Sequence, residues 1–390
     1  MKSDTFCILP WMHLATNSSG NLRVCCNSTP GKNLIRKDDG SPYKLYSDDL
    51  LEAWNSPVYK KIRQEFLNGK KPDMCQRCFR EEEVGIESAR QFVNSKWKED
   101  LQYDNNAPFN IKYIDLRLGN LCNLKCRMCN PFASNQWIKE WSLINEALTT
   151  DEVIRLKKMG WPEYKRTWEN IIPLIHSVEE IYLTGGEPTI IKEQHKILDY
   201  CIENKIAKNI KLKYNTNLTN IPEHLINKWK QFKVVQLNCS IDAVGDLDRY
   251  IRYPSDWKTI EQNFTDLNNL DNVNTEIHCT VQMYNILRIQ ELIEWVLLKN
   301  CKIYFNILNH PDCLNIRVLP VNLKKVVANS LKIYYDVPKV KGIIDYMMAE
   351  DWTDKLEDFC TYTQKLDYSR NENLKNLIPE FKDVFEKKIL

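Results

Sequence analysis

Cys122-Asn123-Leu124-Lys125-Cys126-Arg127-Met128-Cys129 is the stretch on which the reading of this chain turns. Its three thiols, spaced C-x3-C-x2-C, follow directly on Ile111–Leu118 (IKYIDLRL), where apolar residues alternate as they do in a strand. Three cysteines on one tight loop can hold three corners of a cubane iron–sulfur cluster, for which four thiolates are the usual complement. A cluster one ligand short leaves an iron open, as catalytic metal sites keep an open coordination position. A structural zinc loop, or scattered buried thiols, is the competing account of the same residues.

Working outward, the chain from Asn110 alternates strand-like and helix-like segments, the pattern of βα units around a parallel sheet. Strands are predicted over Ile111–Leu118, Val178–Thr184, Ile210–Thr216, Val234–Ile241, Glu276–Met283 and Lys302–Leu308. Amphipathic helices are predicted between them, among them Lys192–Glu203, Trp257–Leu270 and Leu287–Leu298. The second strand ends in Thr184-Gly185-Gly186-Glu187-Pro188. Adjacent glycines let a backbone approach a ligand closely, Glu187 offers an acceptor, and Pro188 stiffens the exit. The third strand ends in Tyr214-Asn215-Thr216-Asn217, where Asn217 is expected to take a left-handed turn conformation. The fourth ends in Ser240-Ile241-Asp242, followed by Arg249 and Tyr250-Ile251-Arg252.

The three-cysteine loop after a strand, together with the Gly-Gly-Glu-Pro exit, resembles the radical S-adenosylmethionine (radical SAM) superfamily. That resemblance implies an α/β fold, a partial (β/α)6 TIM-type barrel, with ligands gathered at the carboxyl ends of the strands. It implies a 4Fe–4S cluster on Cys122, Cys126 and Cys129, with the amino and carboxylate groups of SAM on the open iron. Gly185, Gly186, Glu187 and Pro188 would recognise the SAM amino group. Asn215, Asn217, Ser240 and Asp242 would lie along its ribose and methionine moiety, and Asn285 would reach the adenine edge or merely cap the next helix. Arg252 is favoured for the carboxylate because a guanidinium can offer two parallel hydrogen bonds; a solvated helix-start arginine and a capping Asp242 are the plainer account. Where many relatives place an aromatic residue before the third cysteine, this chain has Met128, whose thioether can lie against a ring.

A second cysteine constellation fills the first hundred residues: Cys7, Pro10-Trp11, Gly20, Cys25-Cys26, and then Cys75-Gln76-Arg77-Cys78. A turn at Ser19-Gly20 leads into a short strand that delivers Cys25, and Asp48 to Leu67 has apolar residues at helical spacing up to Gly69. Four thiolates suit tetrahedral zinc and a fully ligated 4Fe–4S cluster alike. Cys7, twelve residues, Gly20, four residues, Cys25 and a distal C-x2-C look like part of the SPASM/twitch auxiliary-cluster modules of radical SAM enzymes. The resemblance implies an auxiliary 4Fe–4S cluster on Cys7, Cys25, Cys75 and Cys78, with Cys26 an alternative ligand or a spare. Two departures stand out: the module precedes the barrel, and Val84 sits where a further cysteine is usual.

Composition sets the outer limits. In 390 residues, 43% are hydrophobic and 27% charged, enough for a sizeable core, and a net charge of +2 gives no reason to expect nucleic acid or an anionic membrane as an obligate partner. Fourteen cysteines is a high count, and in a reducing compartment clustered C-x2-C spacings suggest metal rather than disulfides. The six cysteines beyond residue 130 (Cys201, Cys239, Cys279, Cys301, Cys313, Cys360) read as buried small side chains. With neither a signal-peptide pattern at MKSDTFCILPW nor a long apolar run, the expectation is a soluble, cytoplasmic protein.

These readings divide the chain into an auxiliary-cluster module with linker (1–107), the barrel (108–312) and a helical C-terminal region (313–390), with helices expected over Asn322–Tyr335, Lys341–Cys360 and Leu374–Lys388. Within the insertion 130–177, Trp137, Trp141, Trp161 and Trp168 read as core rather than substrate platform. At the sixth strand exit, His310 is a candidate base and Cys313 a candidate hydrogen-atom donor. The implied reaction is reductive cleavage of SAM to a 5′-deoxyadenosyl radical, fed by a flavodoxin- or ferredoxin-type donor, and hydrogen abstraction from substrate. A peptide or protein side chain is the substrate class common among SPASM/twitch relatives; a small molecule, nucleotide or sugar is the rival, and a non-catalytic zinc or iron–sulfur scaffold the non-enzyme alternative.

Overall fold

A computed structural model of the chain describes residues 3–29, 31–83, 87–97 and 103–386. Its contacts divide it into two units, the first made of Met1–Leu121, Asp151–Tyr214 and Ile226–Val235, the second of Cys122–Thr150, Asn215–Leu225 and Gln236–Leu390. The strands are β1 (His13–Thr16), β2 (Leu22–Arg23), β3 (Tyr113–Arg117), β4 (Glu180–Thr184), β5 (Lys211–Thr216), β6 (Val234–Cys239), β7 (Val273–Val281) and β8 (Lys302–Ile307). β5 and β6 each pass from one unit into the other along the chain.

In the first unit the strand order is β2-β1-β3-β4-β5. All neighbours there are parallel except the β1–β2 hairpin, which Gly20 turns at φ +74°. On β3, β4 and β5, Ile114, Leu116, Ile181, Leu183, Leu212 and Tyr214 are fully buried on one face. Helix Gln194–Glu203 covers that face, Tyr214 Oη donating to Gln194 Oε1 at 2.9 Å. The alternation that marks these strands therefore separates an apolar, helix-covered side from a polar one.

In the second unit, β6, β7 and β8 follow in order, with β7 and β8 parallel over six residue pairs from Glu276↔Lys302 to Val281↔Ile307. Helix Trp257–Asn268, capped by Asp256 and packed through Ile260, Phe264 and Leu267, leads into β7. The tail contributes helices Val321–Ser330, Val340–Ala349 and Leu356–Arg370. All six strands predicted from Asn110 onward are present, each within three residues of its expected ends.

Several expectations are corrected. Asp48–Leu67 is two helices, Leu50–Trp54 and Pro57–Leu67, because Pro57 lacks the N–H needed inside a helix and instead starts a new one behind the Ser56 cap. Lys341–Cys360 likewise divides into Val340–Ala349 and the start of Leu356–Arg370. The N-terminal module adds a strand not foreseen as part of the sheet: β1 lies parallel to β3, with His13↔Tyr113 and Ala15↔Asp115 in register. Val84 lies outside the described residues; the helix expected at Leu374–Lys388 is broken around Pro379 into Leu374–Leu377 and Lys382–Glu386, and its end lies outside the described residues.

Candidate active site

The glycines after β4 come first. Gly186 N donates to Gly119 O at 3.1 Å and Glu187 N to Leu121 O at 2.8 Å, so this turn lies backbone to backbone on the segment that leads into the cysteine loop. Gly185 sits at φ +107°, and a Cβ there would come within 2.6 Å of Leu118 N. A Cβ on Gly186 would stand 2.0 Å from Leu121 O. Only two side-chain-free residues fit. Glu187 is buried, its Oε1 accepting from Thr189 N and Oγ1, and Pro188 is buried beside it.

In the second unit the cysteine loop has no regular secondary structure of its own and borrows its shape from neighbours. Lys125 N donates to Tyr253 O at 2.7 Å and Arg127 N to Ile251 O at 2.8 Å. Ser134 Oγ donates to Leu124 O, Trp137 Nε1 to Cys126 O at 3.0 Å, and Tyr362 Oη to Arg127 O at 2.6 Å. Cys122 and Cys126 are buried and Cys129 is half-buried, with Met128 packed against the same group. Cys126 and Cys129 are hydrogen-bonded thiol to thiol. That bond and the Arg252 charge hold the Cys126 thiol below its ordinary value, while the same bond, burial and the other two sulfurs push Cys129 up.

Beside these sulfurs lie the residues expected at the β6 exit. Arg252 Nε stands 2.9 Å from Asp242 Oδ2, both buried, and Asp242 Oδ1 accepts from Thr280 N at 2.7 Å. Asp248 accepts from Asp242 N at 3.0 Å; burial, with Asp242 adding repulsion, pushes its carboxyl up to about 7. Asn285 spends its side chain on backbone, donating to Asp242 O and Thr280 O at 2.9 Å and accepting from Gln282 N at 2.8 Å. Asn217 donates to Asn123 Oδ1 at 3.0 Å, tying β5 to the cysteine loop, and Asn215 accepts from Asn238 Nδ2 at 2.7 Å. Ser240 is half-buried, its N–H on Thr216 O. The left-handed residue at this turn is Leu218, φ +61°, rather than Asn217. Leu218 is fully buried and Thr216 Oγ1 accepts its N–H, so packing and a local bond offset the strained conformation.

Three participants carried no sequence signal of their own. Arg127, inside the cysteine loop, is fully buried: its Nη2 pairs with Asp367 at 2.6 Å and Glu372 at 2.9 Å, its Nε donates to Tyr250 O, and its guanidinium lies 3.5 Å from the Tyr250 ring centroid. Asn238 and Asp248 are the others. Asn238 Oδ1, Asp248 Oδ2 and Gln282 Oε1 are buried acceptors with no hydrogen-bond partner. His310 stands in solvent, 2.8 Å from Asp312. Cys313 is half-buried, its thiol pushed up to about 11 by burial.

The N-terminal cysteines meet in the first unit. Cys7, Cys25, Cys75 and Cys78 line one cavity, whose walls include apolar Leu9, Val24 and Phe66 and the polar Asn27, Ser28 and Arg90. Burial and the neighbouring sulfurs hold the Cys7 thiol well above its ordinary value, and burial with Cys78 beside it pushes Cys75 up to about 12. Four thiols gathered around one cavity are a donor set that a shared metal centre can hold in its deprotonated form. Cys26 does not line this cavity and is exposed. Cys26→Ser is therefore expected to keep full auxiliary-site iron and Cys25→Ser to lose it, as read by iron content of the anaerobically reconstituted variants.

Both donor sets fit iron–sulfur clusters. Among the described residues no three His, Cys, Asp or Glu converge closely enough for a single metal ion. Cysteine thiols, three on one loop and four around one cavity, are the donors that such clusters take. The orphaned acceptors Asn238 Oδ1 and Gln282 Oε1 fit the ammonium and hydroxyl donors of a SAM molecule.

Comparison with known proteins agrees with this geometry. Residues 116–296 match the radical SAM superfamily, and residues 7–79 match the SPASM iron-sulfur cluster-binding domain. The corresponding cofactors are a 4Fe–4S cluster with SAM and an auxiliary iron–sulfur cluster. An uncharacterized protein of Methanocaldococcus jannaschii is 28% identical over 135 residues, 34% of this chain and 40% of its own length. GTP 3′,8-cyclase of Haemophilus ducreyi is 25% identical over 132 residues, 34% of this chain and 33% of its own. The chain thus spans well under two thirds of these curated relatives. Among solved structures, anSMEcpe with bound AdoMet aligns with TM-score 0.38 at 16% identity, over 58% of this chain and 61% of that one. Streptococcus suis SuiB bound to precursor peptide SuiA aligns with TM-score 0.37 at 15% identity, over 68% and 61%. Among the described residues no helix is long and apolar enough to cross a membrane.

Proposed function

We propose, because residues 116–296 belong to the radical SAM superfamily and residues 7–79 to the SPASM domain, that this chain is a radical SAM enzyme oxidising a side chain of a peptide or protein. The observation that carries this is the gathering of Cys122, Cys126 and Cys129 on one loop, with the Arg252 guanidinium beside two of the thiols. When bound, the cluster and SAM together supply a 5′-deoxyadenosyl radical that takes a hydrogen atom from substrate.

The residues of this chain hold and orient. Cys122, Cys126 and Cys129 supply three thiolates and leave one iron for SAM. Arg252, kept charged and fixed by Asp242, presents its remaining N–H groups to a carboxylate. Asn238 and Gln282 offer unpartnered acceptors, and the backbone of Gly185, Gly186 and Glu187 offers polar groups without an intervening side chain. Cys7, Cys25, Cys75 and Cys78 ligate the auxiliary cluster fully, which favours electron transfer over substrate ligation there. The peptide reading rests on the SPASM domain, and an electron donor of flavodoxin or ferredoxin type completes the system.

Anaerobic reconstitution tests this. The protein is expected to bind roughly eight irons per chain and, reduced with dithionite, to convert SAM to 5′-deoxyadenosine. Removing Cys122, Cys126 and Cys129 together should abolish that product and about halve the iron; removing the four N-terminal cysteines should halve the iron alone. A colourless, iron-free protein would sink the proposal.

A further inference from the structure

The polar side of the first unit's sheet carries an ordered line of charge. In register across five strands stand Arg23 on β2, Ala15 on β1, Asp115 on β3, Tyr182 on β4 and Lys213 on β5. This line faces away from the helices that cover Leu212 and Tyr214. Ala15 is small, so Arg23 reaches over it to within 3.8 Å of Asp115. Two pairs towards the strand ends come Arg117 and Thr184, the latter at the start of the double-glycine turn; two pairs the other way come Glu180 and Lys211.

Charge on this face is unbalanced. Lys96 pairs with Glu180 and Arg23 with Asp115. Among the described residues no ion pair engages Lys211 or Lys213, and the Lys213 ammonium lies 5.1 Å from the Tyr182 ring centroid. Burial, with repulsion from Lys211 and Lys213, holds the Lys96 ammonium below its ordinary value. Hydrogen bonding is unbalanced too. Arg23 Nε is buried without a hydrogen-bond partner, and the buried Asp115 carboxylate has only the Cys26 thiol and the Arg23 guanidinium beside it. Buried polar groups are ordinarily satisfied, and a surface with surplus cations attracts an anion.

We propose that this face reads the substrate: Lys213, supported by the charge of Arg23, binds a carboxylate of an acidic residue in the peptide. The inference rests on the peptide reading above and names the kind of peptide. Lys213 is then a specificity residue that touches substrate, placed two residue pairs below Thr184, towards the strand ends where parallel sheets bind ligands.

A randomised peptide library panned on the anaerobically reconstituted protein with SAM is the probe. Peptides retained by the native protein should be enriched in Asp and Glu by at least about tenfold, the factor for one charge-assisted hydrogen bond. Lys213→Arg should keep that preference, and Lys213→Glu should replace it with enrichment of Lys and Arg. Iron content and melting temperature confirm that each variant is folded. Retained peptides without acidic enrichment, retention of no peptide, or an unchanged acidic preference in Lys213→Glu would overturn the inference. Formation of 5′-deoxyadenosine by the native protein is read separately, so a carboxylate preference can fail while the radical reaction stands.

Discussion

Arg127→Met is expected to destabilise the protein by about 3–5 kcal/mol, the cost of breaking a buried ion pair by removing one partner, and to strip the cysteine loop of its cluster. The guanidinium is fully buried and answers two carboxylates, Asp367 and Glu372, the second itself almost wholly buried. Methionine fills much of the volume but leaves Glu372 in a low-dielectric site with Arg370 and Arg249 as its remaining cations. Burial already pushes the Glu372 carboxyl up, and Arg127 is the largest influence opposing this. Losing Arg127 therefore raises it further, so the deficit should be greatest at neutral pH and shrink as the medium becomes acidic enough to protonate Glu372. The same residue donates to Tyr250 O and packs over its ring. Denaturant unfolding across pH, with iron content before and after reconstitution, checks both parts. Arg127→Lys should recover charge but not the forked geometry, and so give an intermediate loss.

Gly186→Ala is the second large effect, and its origin is steric. The added carbon would sit 2.0 Å from Leu121 O and 2.4 Å from Leu121 C, backbone atoms that cannot swing aside like a side-chain tip. Either the turn after β4 lifts or the entry to the cysteine loop moves. Overpacking of this kind costs about 1–3 kcal/mol. The larger consequence is functional: displacement by about 1 Å within a catalytic arrangement can cost about 100-fold in rate. We expect Gly186→Ala to retain its iron, since its cysteines are untouched, while 5′-deoxyadenosine formation falls by about that factor. Normal turnover in the folded variant would remove this turn from the site. Gly342→Ala, where a Cβ meets nothing within 4 Å, is the control.

Both effects bear on how much the chain discloses before it folds. The strands from β3 to β8 were legible because each alternates or runs apolar against a helix, and the thiol spacings announced the two cysteine sites. β1 was not, because all four residues of His13–Thr16 are buried and the polar members His13 and Thr16 break the apolar pattern. Arg127 read as an ordinary charged loop residue, since its partners lie more than two hundred positions away. Leu218 took the left-handed position expected of Asn217 because tertiary burial outweighed intrinsic preference. The tryptophans of the insertion were rightly read as core at Trp137, Trp161 and Trp168. Trp137 also holds the Cys126 carbonyl, a role that only the folded chain displays.

The parallel pairing of β1 with β3 has a bearing on how this protein can be dissected. A clone starting at residue 108 would keep the whole radical-forming core on paper, yet strip the flank of β3 and leave its amide and carbonyl row facing water. Such bare flanks recruit strands from other molecules. The trimmed product should come out of the cell as inclusion bodies, so the cysteine-rich leader acts as a selvedge for the sheet as well as a seat for iron.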